Sequence, residues 1–210
     1  MLIIENFSKK YGDRLILALP EARFEAGAYW IKGQNGSGKT TFFKALAGLH
    51  PCEGSIRFDD GTELTQHAVL YRKRVSYSEA EPLYPGFLTP KDLFRFIGKA
   101  KGASVDQQQH LIHAFDIASY AEQPFETHSS GMLKKVSVAL AFLGKPQLII
   151  LDEPLITLDE AARKILLTYI QQRITEEQVT FLISSHQLLE PDILPVKATY
   201  SIENKSLKLI

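Results

Sequence analysis

The chain has 210 residues, with 24 basic and 24 acidic side chains and therefore a formal net charge of zero. This length allows one large domain, or one domain with an inserted subdomain, and a sizeable buried core. The balanced charge argues against a broad nucleic-acid-binding surface, so we expect no nucleic-acid partner. The single cysteine, Cys52, excludes an internal disulfide and a thiolate metal cluster, and it fits a reducing compartment.

No charged segment precedes a long apolar stretch at the N-terminus, so the sequence indicates no signal peptide. No apolar run approaches the roughly 20 residues that span a bilayer. We therefore expect a chain that is soluble by itself and that works at a membrane only through the spans of a partner.

The first predicted elements are two strands, LIIENFS from Leu2 and LILAL from Leu15, separated by a turn at 11–13. They predict an antiparallel β subdomain at the N-terminus. A third strand, AYWIK at 28–32, leads into a Gly-rich loop, and TTFFKALAG after that loop predicts a helix that ends near Gly48.

The Gly-rich loop, GQNGSGKTT, fits the phosphate-binding pattern G-x-x-x-x-G-K-[ST]. Glycines let the backbone approach a polyphosphate closely, and the following helix N-terminus attracts anions. Lys39 can place its charge on the outer phosphates, and the Thr40 hydroxyl can ligate Mg²⁺. A chance Gly-rich turn is the alternative, and the strand and helix context counts against it. The candidate nucleotide-binding residues are Gly33, Gln34, Asn35, Gly36, Ser37, Gly38, Lys39, Thr40 and Thr41.

After this helix the pattern predicts a short strand, SIRF, and a hairpin turn at Asp60 and Gly61. The stretch 82–126 then reads as an all-helical insert. Thr89 and Pro90 predict the start of its first helix, with Leu93, Ile97 and Ala100 on one face. A second helix is predicted over Val105 to Phe115.

The last part of the chain returns to the α/β pattern. SSGMLKKVSVALAFLG predicts a helix, LIILDEP a buried parallel strand, and 159–174 another helix. VTFLISSH predicts the last parallel strand, and a terminal hairpin is expected around Asn204 and Lys205.

Acidic and polar side chains follow the two buried strands of this last part. Asp152 and Glu153 end LIILDEP, at the strand end where ligands bind in open α/β sheets. Asp152 can serve with Thr40 as the second Mg²⁺ anchor, and Glu153 can accept a proton from an attacking water. His186 ends VTFLISSH and can contact the γ-phosphate or the water, although a lone histidine is more often a surface or core residue. Ser129 to Gly131 open a helix and offer a second anion site, although by themselves they are better explained as a plain helix cap.

Taken in order, these stretches resemble the ATP-binding subunit of ATP-binding cassette (ABC) transporters, over essentially the whole chain. A P-loop kinase or a small GTPase would lack the SSGM helix shortly before the LDE strand. The matching motifs are GQNGSGKTT for Walker A, HSSGM at 128–132 for the signature, LIILDE for Walker B, TLD at 157–159 for the D-loop, His186 for the switch histidine and Tyr11 for the aromatic that stacks on adenine.

The resemblance implies two subunits that close head to tail, identical or different, with ATP and Mg²⁺ as cofactors. Each ATP would lie between Walker A of one chain and Ser129 with Gly131 of the other. Glu153 would polarise the water, His186 would hold the γ-phosphate, and Lys39 would act with them. It also implies a separate transmembrane permease subunit, and so a cytoplasmic chain peripheral on the inner face of the cell membrane.

Three features depart from the family pattern. The family usually carries Gln where this chain has Ala80, flanked by Glu79 and Glu81, and that Gln normally touches Mg²⁺ and links the site to the membrane subunit. The signature begins with His128 and ends with Met132 instead of Leu and Gln, and its third position is a serine. The chain also stops soon after His186, so we expect no regulatory C-terminal domain.

The sequence therefore predicts one α/β ABC ATPase domain over 1–210. Its P-loop NTPase core, about 1–81 and 127–210, would contain a parallel sheet and the antiparallel β subdomain, and the helical insert would cover about 82–126. The preferred function is ATP hydrolysis that energises a membrane exporter of ABC-2 or haem-exporter type. The alternatives are a soluble ABC ATPase outside transport and a regulatory module that binds ATP without hydrolysing it.

Overall fold

A computed structural model describes residues 1–185 and 194–210 and confirms the predicted α/β class. The strands in the described part are β1 (Leu2–Tyr11), β2 (Arg14–Phe24), β3 (Gly27–Lys32), β4 (Glu53–Phe58), β5 (Val75–Ser78), β6 (Leu148–Asp152), β7 (Thr180–Ser184), β8 (Val196–Glu203) and β9 (Ser206–Leu209). The α-helices described are α1 (Lys39–Leu46), α2 (Ala68–Arg74), α3 (Pro90–Lys101), α4 (Val105–Ala114), α5 (Ser130–Ala141) and α6 (Glu160–Glu177). Two short 3₁₀ helices cover Ala118–Tyr120 and Phe125–Thr127.

The strands form two sheets. The smaller is antiparallel in the order β2-β1-β4, which confirms the predicted N-terminal β subdomain. The larger has the order β5-β6-β7-β3-β8-β9 and is parallel except for the pairing of β8 with β9. The expected terminal hairpin is this last pair, and Asn204 and Lys205 at its turn both have positive φ angles.

The centre of the larger sheet is buried on both faces. Every residue of β6 and β7 is buried, as the near-continuous apolar runs predict. Asp152 pairs in register with Ser184 across these two strands, and β3, which leads into the phosphate loop, lies on the other side of β7. Because parallel strands end at the same edge, the phosphate loop, Asp152 and Ser184 are brought together there.

The predicted helical insert lies between β5 and α5. Its first helix, α3, starts at Thr89 and Pro90 as predicted, and Asp92 completes a capping box with Thr89. The prediction for the inner face of α3 was wrong at Ala100, which is exposed. Phe94 and Gly98 are buried on this helix. Phe94 packs into the same apolar cluster as residues of β6, so the insert shares a core with the sheet.

The segment after β4 departs from the predicted hairpin. Its second arm pairs with β4 only at an isolated bridge between Arg57 and Glu63, and α2 follows. That helix carries a single buried residue, Tyr71, whose hydroxyl donates to the Leu46 carbonyl oxygen at 2.9 Å. A helix with one buried side chain has no apolar periodicity, so its sequence gives no helical signal.

Within residues 1–185 and 194–210, none of the helices combines the length and the apolar character that crossing a bilayer requires.

Candidate functional site

The phosphate loop joins β3 to α1. Gly36 and Gly38 have φ angles of 78° and 107°, a region that residues with a Cβ rarely adopt. Gly38 is also the N-cap of α1 and supplies no side-chain hydrogen bond, so the first-turn N–H groups of α1 are not capped by it. The loop therefore presents backbone donors at a helix N-terminus, which is an anion site.

Lys39 is the charged side chain of this loop. It is buried, with 8% of its surface exposed, and its Nζ donates to the carbonyl oxygens of Gly33 at 2.7 Å and Gln34 at 3.3 Å. The ammonium is thus held across the loop by the loop's own backbone. This places a positive charge beside the N–H groups that would receive a polyphosphate.

Asp152 is the centre of the polar network at the end of β6. Its Oδ2 accepts from the Thr40 hydroxyl at 2.6 Å and from the Tyr77 hydroxyl at 3.3 Å, and its Oδ1 accepts from the Ser184 hydroxyl at 2.6 Å. Burial and the carboxylates of Asp152 and Glu79 raise the pKa of Tyr77, so it remains a donor at neutral pH. Thr40 and Asp152, the two predicted Mg²⁺ ligands, are in direct contact.

Glu153 follows Asp152 and has a left-handed backbone with φ of 46°. Such a conformation costs about 1–2 kcal/mol for a residue with a Cβ. The structure fixes it by a hydrogen bond from its N–H to the Ser184 hydroxyl at 2.9 Å. Ser184 therefore bridges the two acidic residues, since it donates to one and accepts from the other.

These groups surround an open pocket of about 520 Å³. It brings together the phosphate loop and the Walker B acids, and its volume is in the range of small-molecule sites. The lining residues are Arg14, Ile16, Gln34, Asn35, Gly36, Gly38, Lys39, Thr40, Thr41, Ala80, Glu81, Asp152, Glu153 and Ile156. Gly33 and Ser37 line a neighbouring pocket beside β8, on the other side of the same loop.

Besides Gly33 and Ser37, three predicted residues of the described part of the chain do not line the phosphate-loop pocket. Tyr11 is half exposed at the end of β1, and its hydroxyl pairs with Nδ1 of His50 at 3.0 Å. Ser129 caps α5 by accepting from the Met132 N–H at 3.3 Å, and Gly131 lies in the first turn of that helix. His186 lies outside the described residues, and its role stays a prediction.

Several residues of this site were missed by sequence reasoning. Ser184 stood in the predicted strand beside His186, but only the register of β6 against β7 places it on Asp152. Tyr77 belongs to none of the sequence motifs, and only the fold brings its hydroxyl to Asp152. Arg14 and Ile16 follow the turn after Tyr11 and enter the pocket from β2. At the position of the expected Gln, Ala80 and Glu81 both line the pocket, whereas Glu79 pairs with Lys44 at 3.5 Å.

Comparison with known proteins agrees with this geometry. The profile of the ABC transporter family matches residues 23–156. The lantibiotic transport ATP-binding protein SrtF of Streptococcus pyogenes is 33% identical over 196 residues, covering 92% of this chain and 83% of that protein. The linearmycin resistance ATP-binding protein LnrL of Bacillus subtilis is 25% identical over 199 residues, covering 92% of this chain and 64% of that protein.

Solved structures of similar fold include the ATP-binding subunit of an ABC transporter, with a TM-score of 0.87 and 25% identity over 99% of this chain and 88% of that one. A dimeric ATP-binding cassette in a post-hydrolysis state with ADP and Pi has a TM-score of 0.81 and 16% identity, over 99% of this chain and 96% of that one. The phosphate loop and the Asp152 network agree with what these relatives indicate. The chain belongs to the ABC transporter family, as an ATP-binding and ATP-hydrolysing subunit.

Proposed function

We propose that this chain energises a membrane exporter of ABC-2 or haem-exporter type by hydrolysing ATP. The observation that carries the proposal is the contact of Thr40 with Asp152 beneath the phosphate loop, because it joins that loop to the acidic end of β6 at one nucleotide site. SrtF and LnrL, whose names refer to lantibiotic transport and linearmycin resistance, support the choice of export.

The side chains around the pocket fit a magnesium–nucleotide complex. Thr40 and Asp152 offer hydroxyl and carboxylate oxygens, the ligands that Mg²⁺ prefers, and these two residues would hold it. When bound, Mg²⁺ would supply charge compensation for the phosphate oxygens. Lys39 and the N–H groups of α1 would bind the outer phosphates, and the loop glycines would allow their close approach.

Glu153 is proposed as the residue that orients and polarises the attacking water. It lines the pocket next to Asp152, and the Ser184 hydroxyl fixes its backbone. Its carboxylate can accept the proton that water releases during phosphoryl transfer. His186 is proposed to hold the γ-phosphate, and Tyr11 to stack on adenine at the entrance that Arg14 and Ile16 line.

A second subunit is proposed to complete the site. Ser129 is exposed and Gly131 is partly exposed, and neither lines the pocket of its own chain, so a head-to-tail partner would have to bring them to ATP. The dimeric cassette of similar fold supports this arrangement. One chain by itself would then be a poor ATPase, and the partner cassette could be a second copy or a related chain.

The permease is proposed to dock at the groove between the sheet core and the helical insert. This groove has a volume of about 310 Å³ and lies beside Leu49, Leu83 and Tyr84. Leu83 and Leu49 are 89% and 54% exposed, and exposed large apolar side chains of this kind fit a cytoplasmic segment of a membrane protein. Docking there would hold the chain on the inner face of the cell membrane.

The domain organisation is part of the same proposal: residues 1–210 form one ATPase domain, with a core of about 1–81 and 127–210 and an insert of about 82–126. The shared apolar cluster supports this division, because Phe94 and Leu111 of the insert belong to one cluster with Ile149 of β6. Motion of the docked permease would thus be transmitted to the ATP site through packed side chains.

The proposal is tested by purifying the tagged chain from membranes and identifying what accompanies it. We expect a polytopic membrane protein, and ATP turnover that rises when this partner is present. Co-purification of a ribosome or of DNA would contradict the transporter function. The Glu153→Gln variant should bind ATP as tightly as wild type but lose turnover and accumulate as a dimer, and wild-type turnover in it would remove Glu153 from its role.

A further inference from the structure

Lys134 is a buried charged residue that the mechanism above does not use. It lies in α5, five residues after Ser129, and only 1% of its surface is exposed. Its Nζ donates to three backbone carbonyl oxygens, those of Glu79 at 2.6 Å, Ala80 at 3.1 Å and Asp152 at 3.0 Å. The three ammonium protons thus have three acceptors.

These acceptors belong to two separate parts of the ATP site. Asp152 ends β6 and holds Thr40, whereas Glu79 and Ala80 follow β5 at the start of the insert. The residues next to them, Glu153 and Glu81, both line the phosphate-loop pocket. One side chain on α5 therefore ties together the two main-chain segments that carry the carboxylates of the pocket.

Stability alone does not explain this lysine. Burial lowers the pKa of Lys134 to about 8, against the attraction of nearby carboxylates that include Asp152 and Glu153. A buried ammonium carries a desolvation cost, which its hydrogen bonds to the three carbonyl oxygens have to offset. A buried ammonium at this junction is therefore best explained by the geometry that it imposes.

We propose that Lys134 is a positioning residue for ATP hydrolysis, which holds the backbone at Ala80 and Asp152 so that Glu81 and Glu153 keep their places around the pocket. Ala80 occupies the position where the family usually has Gln, and its side chain has no polar group that could link the insert to the ATP site. Lys134 makes that link instead, through the backbone oxygens of Ala80 and Asp152. This inference rests on the ATP hydrolysis assigned above.

The test compares Lys134→Met with Lys101→Met. Lys101 is a matched control, because its Nζ also donates to backbone carbonyls, those of Arg72 and Val75, and burial also lowers its pKa to about 8. We expect Lys134→Met to lower kcat for ATP about 10- to 100-fold, as loss of a group that orients a metal ligand does, with KM changed far less. Assayed without the permease, Lys101→Met should keep the wild-type kcat, and Lys134→Arg, which retains the charge and donors, should recover part of the loss.

Hydrogen exchange of the same variants separates this inference from the proposed function. In Lys134→Met, peptides covering 79–81 and 152–153 should exchange faster than in wild type, whereas Lys101→Met should leave them unchanged. Wild-type kcat in Lys134→Met, or unchanged exchange in these peptides, would overturn the inference. A wild-type chain that binds its permease but turns over no ATP would contradict the proposed function, and the exchange result would still decide the role of Lys134.

Discussion

Ser184→Ala tests the network beneath the phosphate loop by removing one buried oxygen atom. The Ser184 hydroxyl donates to Oδ1 of Asp152 at 2.6 Å and accepts from the Glu153 N–H at 2.9 Å, and the residue is fully buried. Its loss leaves a buried carboxylate oxygen and a buried N–H without these partners. At about 1–3 kcal/mol for each of the two unsatisfied groups, the free energy of unfolding should fall by roughly 2–6 kcal/mol.

The same substitution should also slow catalysis. Asp152 loses one of the hydrogen bonds that orient its carboxylate, and Glu153 loses the contact that fixes its left-handed backbone. We expect kcat for ATP to fall about 10- to 100-fold. Urea denaturation would measure the stability, and steady-state ATPase assays at saturating Mg²⁺ would measure kcat.

Ser78→Ala is the matched control. Ser78 is also a fully buried serine at the end of a parallel strand, but among the described residues its hydroxyl pairs only with that of Ser137, at 2.9 Å. This variant should lose less stability, about 1–3 kcal/mol for the single group left unpaired, and should keep its kcat. Equal losses of stability and of kcat in the two variants would refute the assignment of Ser184 to the site.

Single substitutions test three other residues. Thr40→Val removes the hydroxyl that contacts Asp152 and that is proposed to hold Mg²⁺ with it. Nucleotide affinity should therefore fall about tenfold in Mg²⁺ but not in EDTA, and equal losses in both buffers would contradict this role. Tyr11→Ala should raise KM for ATP about tenfold with little change in kcat, since one stacked base contributes about 1–3 kcal/mol; an unchanged KM would exclude stacking. Burial lowers the pKa of Lys101 from 10.5 to about 8, so between these values the unfolded chain holds more protons and stability should rise with pH. Relative to Lys101→Met, wild type should have a higher free energy of unfolding at about pH 9.5 than at about pH 7.5, measured by denaturation. A difference between the two proteins that does not change with pH would contradict this prediction.

The sequence predicted those parts of the site that are marked by a short contiguous motif. The phosphate loop is a run of nine residues, and LIILDEP combines a buried strand with acids at its end. Parallel strands end at a common edge, so the contact of Thr40 with Asp152 could be expected although 112 positions separate them. The start of α3 is equally local, since Thr89 and Pro90 predicted it.

The site residues that could not be predicted from the sequence are placed by strand register and by tertiary packing. Ser184 faces Asp152 only because β6 and β7 pair in one particular register, and a shift by one residue would place it on the other face. Lys134 resembles a solvated lysine in the sequence of α5, and its burial follows from how that helix packs against β5 and β6. The helix α2 is held by one buried tyrosine, which no periodicity reveals.

The central claim is that Ser129 of one chain completes the ATP site of another, and mixing two inactive variants tests it most directly. Lys39→Ala damages the phosphate loop and Ser129→Arg damages the signature, so each should be nearly inactive alone. In a head-to-tail dimer of the two, one site contains both intact halves, and an equimolar mixture should recover about a quarter of the wild-type rate if sites act independently. A mixed rate no higher than the sum of the separate rates, measured while wild type is active, would contradict the account.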